Sequence, residues 1–291
     1  MKALGLPIIV HELVVAPAAF ALALRHAHAA LGTRRALGEL AVLAAYGFAL
    51  ERVAMSLFAS HRYGPGWRLA PFGVPVAVAL VWAAVISSAL ALAARRGLQR
   101  AWARALGAAA FATTLDFMLE PVAVRRGLWQ WTPPGAWLGV PAGNFVGWAV
   151  IVGAYGLGAE RWAKDGRFAA QGLRRLALAA AALAALVAVG VLWRQLGLEP
   201  SLGRRGGWLA WGVALVATAV LGLRRARAFE GDTLAGRLGA ARGHGPALVF
   251  LVVATAFAAE AALLGDGIVG LVALGTVLAL VSLLREPPAA R

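Results

Sequence analysis

Apolar stretches of roughly 20 residues follow one another along the whole chain, separated by short segments rich in arginine, glycine and proline. A helix needs about 20 such residues to cross a hydrocarbon core of about 30 Å. A transmembrane β-barrel would instead show alternating segments of about ten residues. The pattern therefore predicts an all-α, polytopic integral membrane protein with about nine transmembrane helices. The predicted spans are residues 6–24, 36–58, 72–94, 102–120, 139–160, 173–193, 207–223, 246–264 and 267–284.

The first span differs from the others because it contains the polar pair His11 and Glu12. No convincing small-residue cleavage site follows it, so we expect a retained helix rather than a signal peptide. The polar pair itself is expected to be mostly structural.

The charge distribution predicts an orientation in the membrane. Hydrophobic residues make up 61% of the chain, the mean hydropathy is +0.76 and the net charge is +15. One set of alternate loops carries 19 lysines and arginines, and the other set carries 8. By the positive-inside rule the N-terminus is expected outside and the C-terminus in the cytoplasm, with the chain in the cell's inner membrane. The basic residues are then expected to contact anionic lipid head groups and not nucleic acid.

Polar residues are concentrated in the first half of the chain, which suggests three regions. We predict an N-terminal span with a basic loop (1–35), a core that carries the polar motifs (36–165) and a C-terminal transmembrane scaffold (166–291). The scaffold is expected to serve packing and lipid contact, with Glu260 as its main acid within a span. The basic, glycine-rich linker 224–245 predicts a cytoplasmic loop.

Two carboxyl groups, Asp116 and Glu120, are spaced i, i+4 at the end of the fourth span and therefore share one helix face. Pro121 is predicted to close that helix, because it lacks an amide donor. Two neighbouring carboxyls in a low dielectric do not easily both ionise, so one is expected to keep a proton that it can donate. The alternative is a span boundary at which both acids pair with Arg125 or Arg126.

Glu51 lies deep in the second span and precedes a turn-rich loop that carries His61, Tyr63 and Trp67. An acid at this depth usually marks a functional site, and a structural ion pair with a neighbouring helix is the alternative. The aromatic loop residues are candidate pocket residues, although an interfacial belt is the commoner use of such side chains.

Trp129, Trp131 and Trp137 follow the two acids, and Asn144 begins the next apolar stretch. An indole face stabilises a cation by roughly 0.5–2 kcal/mol, so these rings suit a substrate that develops positive charge. An interfacial belt is again the alternative. The amide of Asn144 could hold a water or orient a carboxyl, or it could join two helices.

Several classes of chemistry have no motif in this chain. The five histidines form no HxxxH or HxxHH box of the kind found in membrane di-iron enzymes, and no dinucleotide-binding, P-loop or DDxxD motif is present. Without cysteine there are no disulfides, iron–sulfur clusters or Cys-based zinc sites. We therefore expect proton chemistry that uses neither a cofactor nor a metal.

A set of motifs in a fixed order adds to this expectation. The motifs are Glu51, Phe72-Gly73-Val74-Pro75 with Trp82, Asp116, Glu120-Pro121, Gly127-Leu128-Trp129-Gln130-Trp131, Gly139-Val140-Pro141 and Asn144-Phe145-Val146-Gly147-Trp148. Over about residues 36–160 this order resembles the membrane carotenoid biosynthesis family that includes the CruF-type hydratases of acyclic carotenoid ends (bisanhydrobacterioruberin or γ-carotene type). Two departures are visible: Glu120 stands where the family more often has Asp, and SLFASHRYGPGW replaces the usual TG-x-PFG-x-Y segment.

The resemblance implies a cofactor-independent carotenoid hydratase, a hydro-lyase that adds water across the terminal double bond of an acyclic ψ end. Protonation would give a tertiary carbocation, which water captures as a tertiary alcohol. It implies Asp116 and Glu120 as the acid–base pair, with Glu51 tuning the proton or positioning water. The implied substrate-binding residues are Trp129, Trp131, Asn144, Trp148, Tyr63 and His61.

Two other functions remain open at this point. A lycopene-type cyclase would make the same cation and quench it intramolecularly, but such cyclases usually carry a Pro-x-Glu-Glu motif, and residues 140–144 read VPAGN. A non-enzymatic carotenoid- or lipid-binding membrane protein would use the acids as a proton relay, and no inverted repeat supports transport. The expected partners are an acyclic carotenoid and membrane lipids, with association with other carotenoid enzymes as a further expectation.

Overall fold

The computed structural model describes residues 5–162, 168–224, 233–241 and 243–284. Within these ranges the chain forms ten helices, and nine of them are long and apolar enough to cross a membrane. The prediction of an all-α polytopic membrane protein is therefore confirmed. The helices are α1 (Ile8–Leu31), α2 (Thr33–Phe58), α3 (Val76–Ala94), α4 (Ala101–Arg126), α5 (Ala142–Trp162), α6 (Phe168–Gln195), α7 (Leu198–Leu223), α8 (Leu234–Ala240), α9 (Gly245–Leu264) and α10 (Gly267–Val281).

Helices α3 and α4 form the centre of the bundle. About four fifths of their most apolar windows are buried (78% and 83%), whereas the figure for α6 and α7 is 17%. The α3 sequence is rich in alanine, and small side chains let neighbouring helices approach closely. The leucines and valines of α6 and α7 that remain exposed form the apolar surface that suits lipid contact.

Helix α4 continues through Pro121, so the prediction that this proline closes the helix is wrong. Proline removes one backbone donor, but packing against neighbouring helices lets a transmembrane helix tolerate that loss, and Pro121 is buried. The helix ends at Gly127, whose φ of +67° is the left-handed conformation that favours glycine. Asp116 and Glu120 consequently lie inside one continuous buried helix and not at a span boundary.

A two-stranded antiparallel sheet joins the segments that follow α2 and α4. Strand β1 (His61–Tyr63) pairs with β2 (Trp129–Trp131), with His61 opposite Trp131 and Tyr63 opposite Trp129. Side chains alternate between the two faces of a strand, so Trp129 and Trp131 point to the same side. This pairing, which the sequence pattern did not predict, brings the aromatic loop after α2 beside the ends of the two acid-bearing helices.

Because successive spans run in opposite directions, the start of α1, the ends of α2 and α4 and the start of α5 lie at one face of the bundle. The small sheet lies at this face. The charge distribution predicts that it is the outer face of the membrane.

The linker 224–245 is only partly a loop. Its residues 234–240 form α8, which buries Ala235 and Leu238 against the bundle, so the loop prediction is wrong for this part. The buried Arg95 guanidinium fixes the end of α8 by donating hydrogen bonds to the carbonyls of Gly239 (3.1 Å) and Gly243 (2.8 Å).

Some residues that carried the orientation prediction lie outside the described part of the chain. They include Lys164, Arg167, Arg225, Arg227 and Arg242. The orientation of the termini therefore stays a prediction.

Candidate active site

A cavity of about 500 Å³ opens beside the small sheet. Its wall is mostly aromatic and aliphatic, and it is contributed by the two strands and by helices from both halves of the chain, among them α2, α3, α4, α5 and α6. Eight of the nine residues that the sequence proposes for the site line it: Glu51, His61, Tyr63, Glu120, Trp129, Trp131, Asn144 and Trp148. The ninth, Asp116, is not among the lining residues and lies behind Asn144.

Glu120 is held by two indoles. The Nε1–H groups of Trp129 and Trp131 both donate to Glu120 Oε2, each at 2.8 Å. This contact is possible because Gly127 reverses the chain after α4 and because the two indoles lie on the same face of β2. Neither of these bonds uses Oε1, so the second oxygen of this cavity-lining carboxyl is available to a substrate.

Glu51 forms a buried pair with His61. Trp82 Nε1 donates to Glu51 Oε1 at 2.7 Å, and His61 Nε2 lies 3.0 Å from Glu51 Oε2. The ring of Tyr63 lies edge-on to His61, with ring centroids 5.3 Å apart. Glu51 therefore pairs with His61 of β1 and not, as in the alternative, with a basic residue of a neighbouring helix.

The environment of His61 favours its charged form. Burial by itself would lower the pKa of His61, but the hydrogen bond and the negative charge of Glu51 outweigh burial and raise this pKa above its usual value. The other ring nitrogen, Nδ1, lies 2.9 Å from Ser60 Oγ. The His61 ring centroid is 5.0 Å from that of Trp131, so the histidine sits beside the indoles that hold Glu120.

Asp116 is fully buried and hydrogen-bonds to Asn144, which lines the cavity. Asn144 Nδ2 donates to Asp116 Oδ2 at 2.7 Å, and Oδ1 is buried without a hydrogen-bond partner in the described residues. The alternative in which Asp116 and Glu120 pair with the arginines at the end of α4 is wrong. Those arginines bind other acids: Arg125 pairs with Asp266 (3.2 Å) and Arg126 with Glu260 (2.8 Å).

Trp129 and Trp131 line the cavity, whereas Trp137 packs in a separate apolar cluster with Phe117 and Phe145, so these rings are not in exposed positions. Trp129 is 8% exposed and Trp137 is 2% exposed. Trp82 and Trp148 lie with ring centroids 4.0 Å apart, and Trp148 also lines the cavity. The site therefore offers several indole surfaces beside the carboxyl groups of Glu51 and Glu120.

Sequence reasoning missed contributions from the C-terminal half. Leu186, Gly190, Trp193 and Phe257 line the cavity, and so does Glu199, the acid that precedes span seven. Glu199, an acid in a strongly apolar region, was a sequence signal that could have drawn attention to this part of the cavity. Among the described residues there is no group of three or more His, Cys, Asp or Glu side chains that could hold a metal ion.

Comparison with known proteins identifies a family for this chain. A family described as "carotenoid biosynthesis protein" matches residues 8–221. The matched region therefore includes the predicted core (36–165) and continues into α7. No curated protein and no solved structure matches.

Proposed function

The chain belongs to the carotenoid biosynthesis protein family, and we propose that it is a hydratase that adds water to the terminal double bond of an acyclic carotenoid. The observation that carries the proposal is Glu120, a buried carboxyl on the wall of an aromatic cavity with both indole bonds on one oxygen. Protonation of an alkene by a carboxylic acid needs such a group, shielded from water and open to the substrate on one side.

Charge balance supports Glu120 as the proton donor. Glu51 is compensated by His61, whereas Glu120 and Asp116 have no ion pair with any basic side chain of the described residues. A buried uncompensated carboxylate is costly, so these two groups are best accommodated as neutral acids. Of the two, Glu120 lines the cavity, and Oε1 would carry its proton.

The indoles then serve the developing carboxylate. As the proton moves to the alkene carbon, the π electrons form the new C–H bond, negative charge grows on Glu120 and a tertiary carbocation forms. The two fixed N–H donors of Trp129 and Trp131 stabilise that negative charge without reorganising, which is the function of an oxyanion hole. The nearby His61, close enough for its charge to interact with Glu120, acts in the same direction.

Asn144 is suited to hold the attacking water. Its Nδ2 donates to Asp116, which fixes the amide and leaves the carbonyl oxygen as an acceptor on the cavity side. A water bound there would attack the cation and return one proton to the Glu120 carboxylate, which regenerates the acid. In this assignment Asp116 is a positioning residue, and the acid–base role implied by the resemblance falls to Glu120.

The test is the mass of the product. In cells that accumulate lycopene, expression of the chain is expected to give pigments heavier by one water per modified end, measured by mass spectrometry of the extract. A ring-containing product of unchanged mass would instead identify a cyclase. Unchanged pigment with the protein present in the membrane would contradict an enzyme acting on this class of end group.

A second prediction concerns the indole donors. Trp131→Phe keeps an aromatic wall but removes one N–H from Glu120 Oε2. Loss of one oxyanion-hole donor typically costs a factor of about 10²–10³ in rate, and we expect a loss near the lower end because Trp129 remains. Initial rates of alcohol formation in isolated membranes measure the effect. Trp102→Phe, at an indole that is 53% exposed, is the control and should retain the full rate.

A further inference from the structure

We infer that Glu199, from the C-terminal half of the chain, is a positioning residue that holds the first turn of α5 and thereby places Asn144 for water capture. This inference rests on the proposed hydratase function and assigns a role to a residue outside the motifs that carry the family resemblance. Glu199 lines the same cavity as Glu120 and Asn144.

Glu199 satisfies the backbone donors at the start of α5. The first amides of a helix have no partner within the helix, and Pro141, which precedes this one, has no side-chain acceptor. Glu199 Oε1 accepts from the Ala142 amide at 2.7 Å, and Oε2 accepts from the Gly143 amide at 2.9 Å. A carboxylate in this position also interacts favourably with the helix dipole.

The Glu199 carboxylate is also held by a side chain of α6. Trp193 Nε1 donates to Glu199 Oε2 at 3.1 Å, which ties the end of α6 to the start of α5. A Cβ atom at Gly143 would lie 3.0 Å from Trp193 Nε1 and 3.4 Å from Glu199 Oε2. The absence of a side chain at Gly143 therefore permits this close approach.

Asn144 is the next residue along α5, so its position follows that of the first turn. Its Nδ2 must stay within hydrogen-bonding distance of Asp116, now 2.7 Å, for its carbonyl to face the cavity. Protonation by Glu120 depends on α4 and β2 and does not use α5. Loss of Glu199 should therefore impair water capture while leaving proton transfer to the alkene largely intact.

Deuterium oxide separates the two steps. Protonation in this solvent puts one deuterium on carbon, and the cation then either gains water to give the alcohol or loses a proton to return an alkene that has gained one deuterium. For Glu199→Ala we expect the ratio of alcohol to deuterated alkene to fall by about tenfold or more, since misplacing a reacting group by about 1 Å can cost a hundredfold. Glu199→Gln, whose amide oxygen can still accept one backbone bond, should give an intermediate ratio.

A matched control is available at another capped helix. Asp266 caps α10 by accepting from the amides of Ile268 and Val269, and it is not among the lining residues of the cavity. Asp266→Ala should leave the product ratio unchanged. Hydrogen exchange of the peptide around residues 140–146 should accelerate in Glu199→Ala and not in Asp266→Ala.

The outcomes distinguish this inference from the proposed function. Wild-type protein that gives neither alcohol nor deuterated alkene refutes the hydratase and, with it, the role of Glu199. Wild-type activity with an unchanged ratio in Glu199→Ala overturns the role of Glu199 alone. Equal losses of alcohol and deuterated alkene at normal protein levels would also overturn it, because they indicate a general structural effect.

Discussion

Glu120→Gln is expected to reduce product formation by at least about a thousandfold, which lies within the usual contribution of a general acid. The amide keeps the size of the side chain and an oxygen that accepts the indole N–H groups of Trp129 and Trp131. It has no acidic proton to give to an alkene carbon. The variant should therefore fold and bind pigment but fail at the first chemical step, which is measured as loss of both alcohol and deuterium incorporation.

Two further variants show whether the loss is specific to Glu120. Asp116→Asn can still accept the Asn144 amide bond, so we expect it to keep roughly a tenth of the activity or more, a loss of about 1.4 kcal/mol at most. Glu12→Gln alters another buried carboxyl, which binds the amides of Arg68 and Leu69 outside the cavity, and should remain active. A larger loss in Asp116→Asn than in Glu120→Gln would reverse the assignment of the proton donor.

The membrane fold follows from the hydrophobic pattern, and the details that build the site do not. Runs of apolar residues specify nine spans, because crossing a hydrocarbon core demands them irrespective of tertiary contacts. Pro121 was misjudged because local rules for proline describe an isolated helix, whereas packing around α4 keeps the turns in place. Likewise, α8 was not predicted because a helix of seven residues is too short to show in the hydropathy pattern. Its end is held by a tertiary contact with Arg95 that the local sequence does not reveal.

The candidate site shows the same division. The acids within apolar stretches can be recognised as candidate site residues from the sequence alone, because a carboxyl group inside a membrane is energetically costly and usually serves a function. Their partners depend on long-range geometry: His61 reaches Glu51 only because β1 folds back along β2. The contribution of Glu199 depends on α7 beginning beside α5, and no local pattern in the sequence encodes that contact.

Glu51→Gln is expected to lower activity by about a hundredfold near neutral pH and to move the alkaline limb of the pH profile to lower pH. In the wild type the Glu51 carboxylate raises the pKa of His61 above its usual value of about 6.5. The charged form of His61 is therefore favoured, and in that form the ring can support the negative charge that grows on Glu120. Activity should fall as the pH rises through this raised pKa, because the histidine then loses its proton.

Without the carboxylate, burial is the main remaining influence on His61, and burial lowers its pKa. The glutamine variant should therefore lose activity at a lower pH than the wild type and should regain part of it on acidification. Rates of alcohol formation in isolated membranes between pH 5 and pH 9 locate the alkaline limb in the wild type and in the variant. Glu51→Asp keeps the negative charge, so its alkaline limb should stay at a higher pH than that of Glu51→Gln. An alkaline limb at the same pH in the wild type and in Glu51→Gln would contradict the role of the pair, because the proton lost in that limb would then belong to a group that Glu51 does not influence.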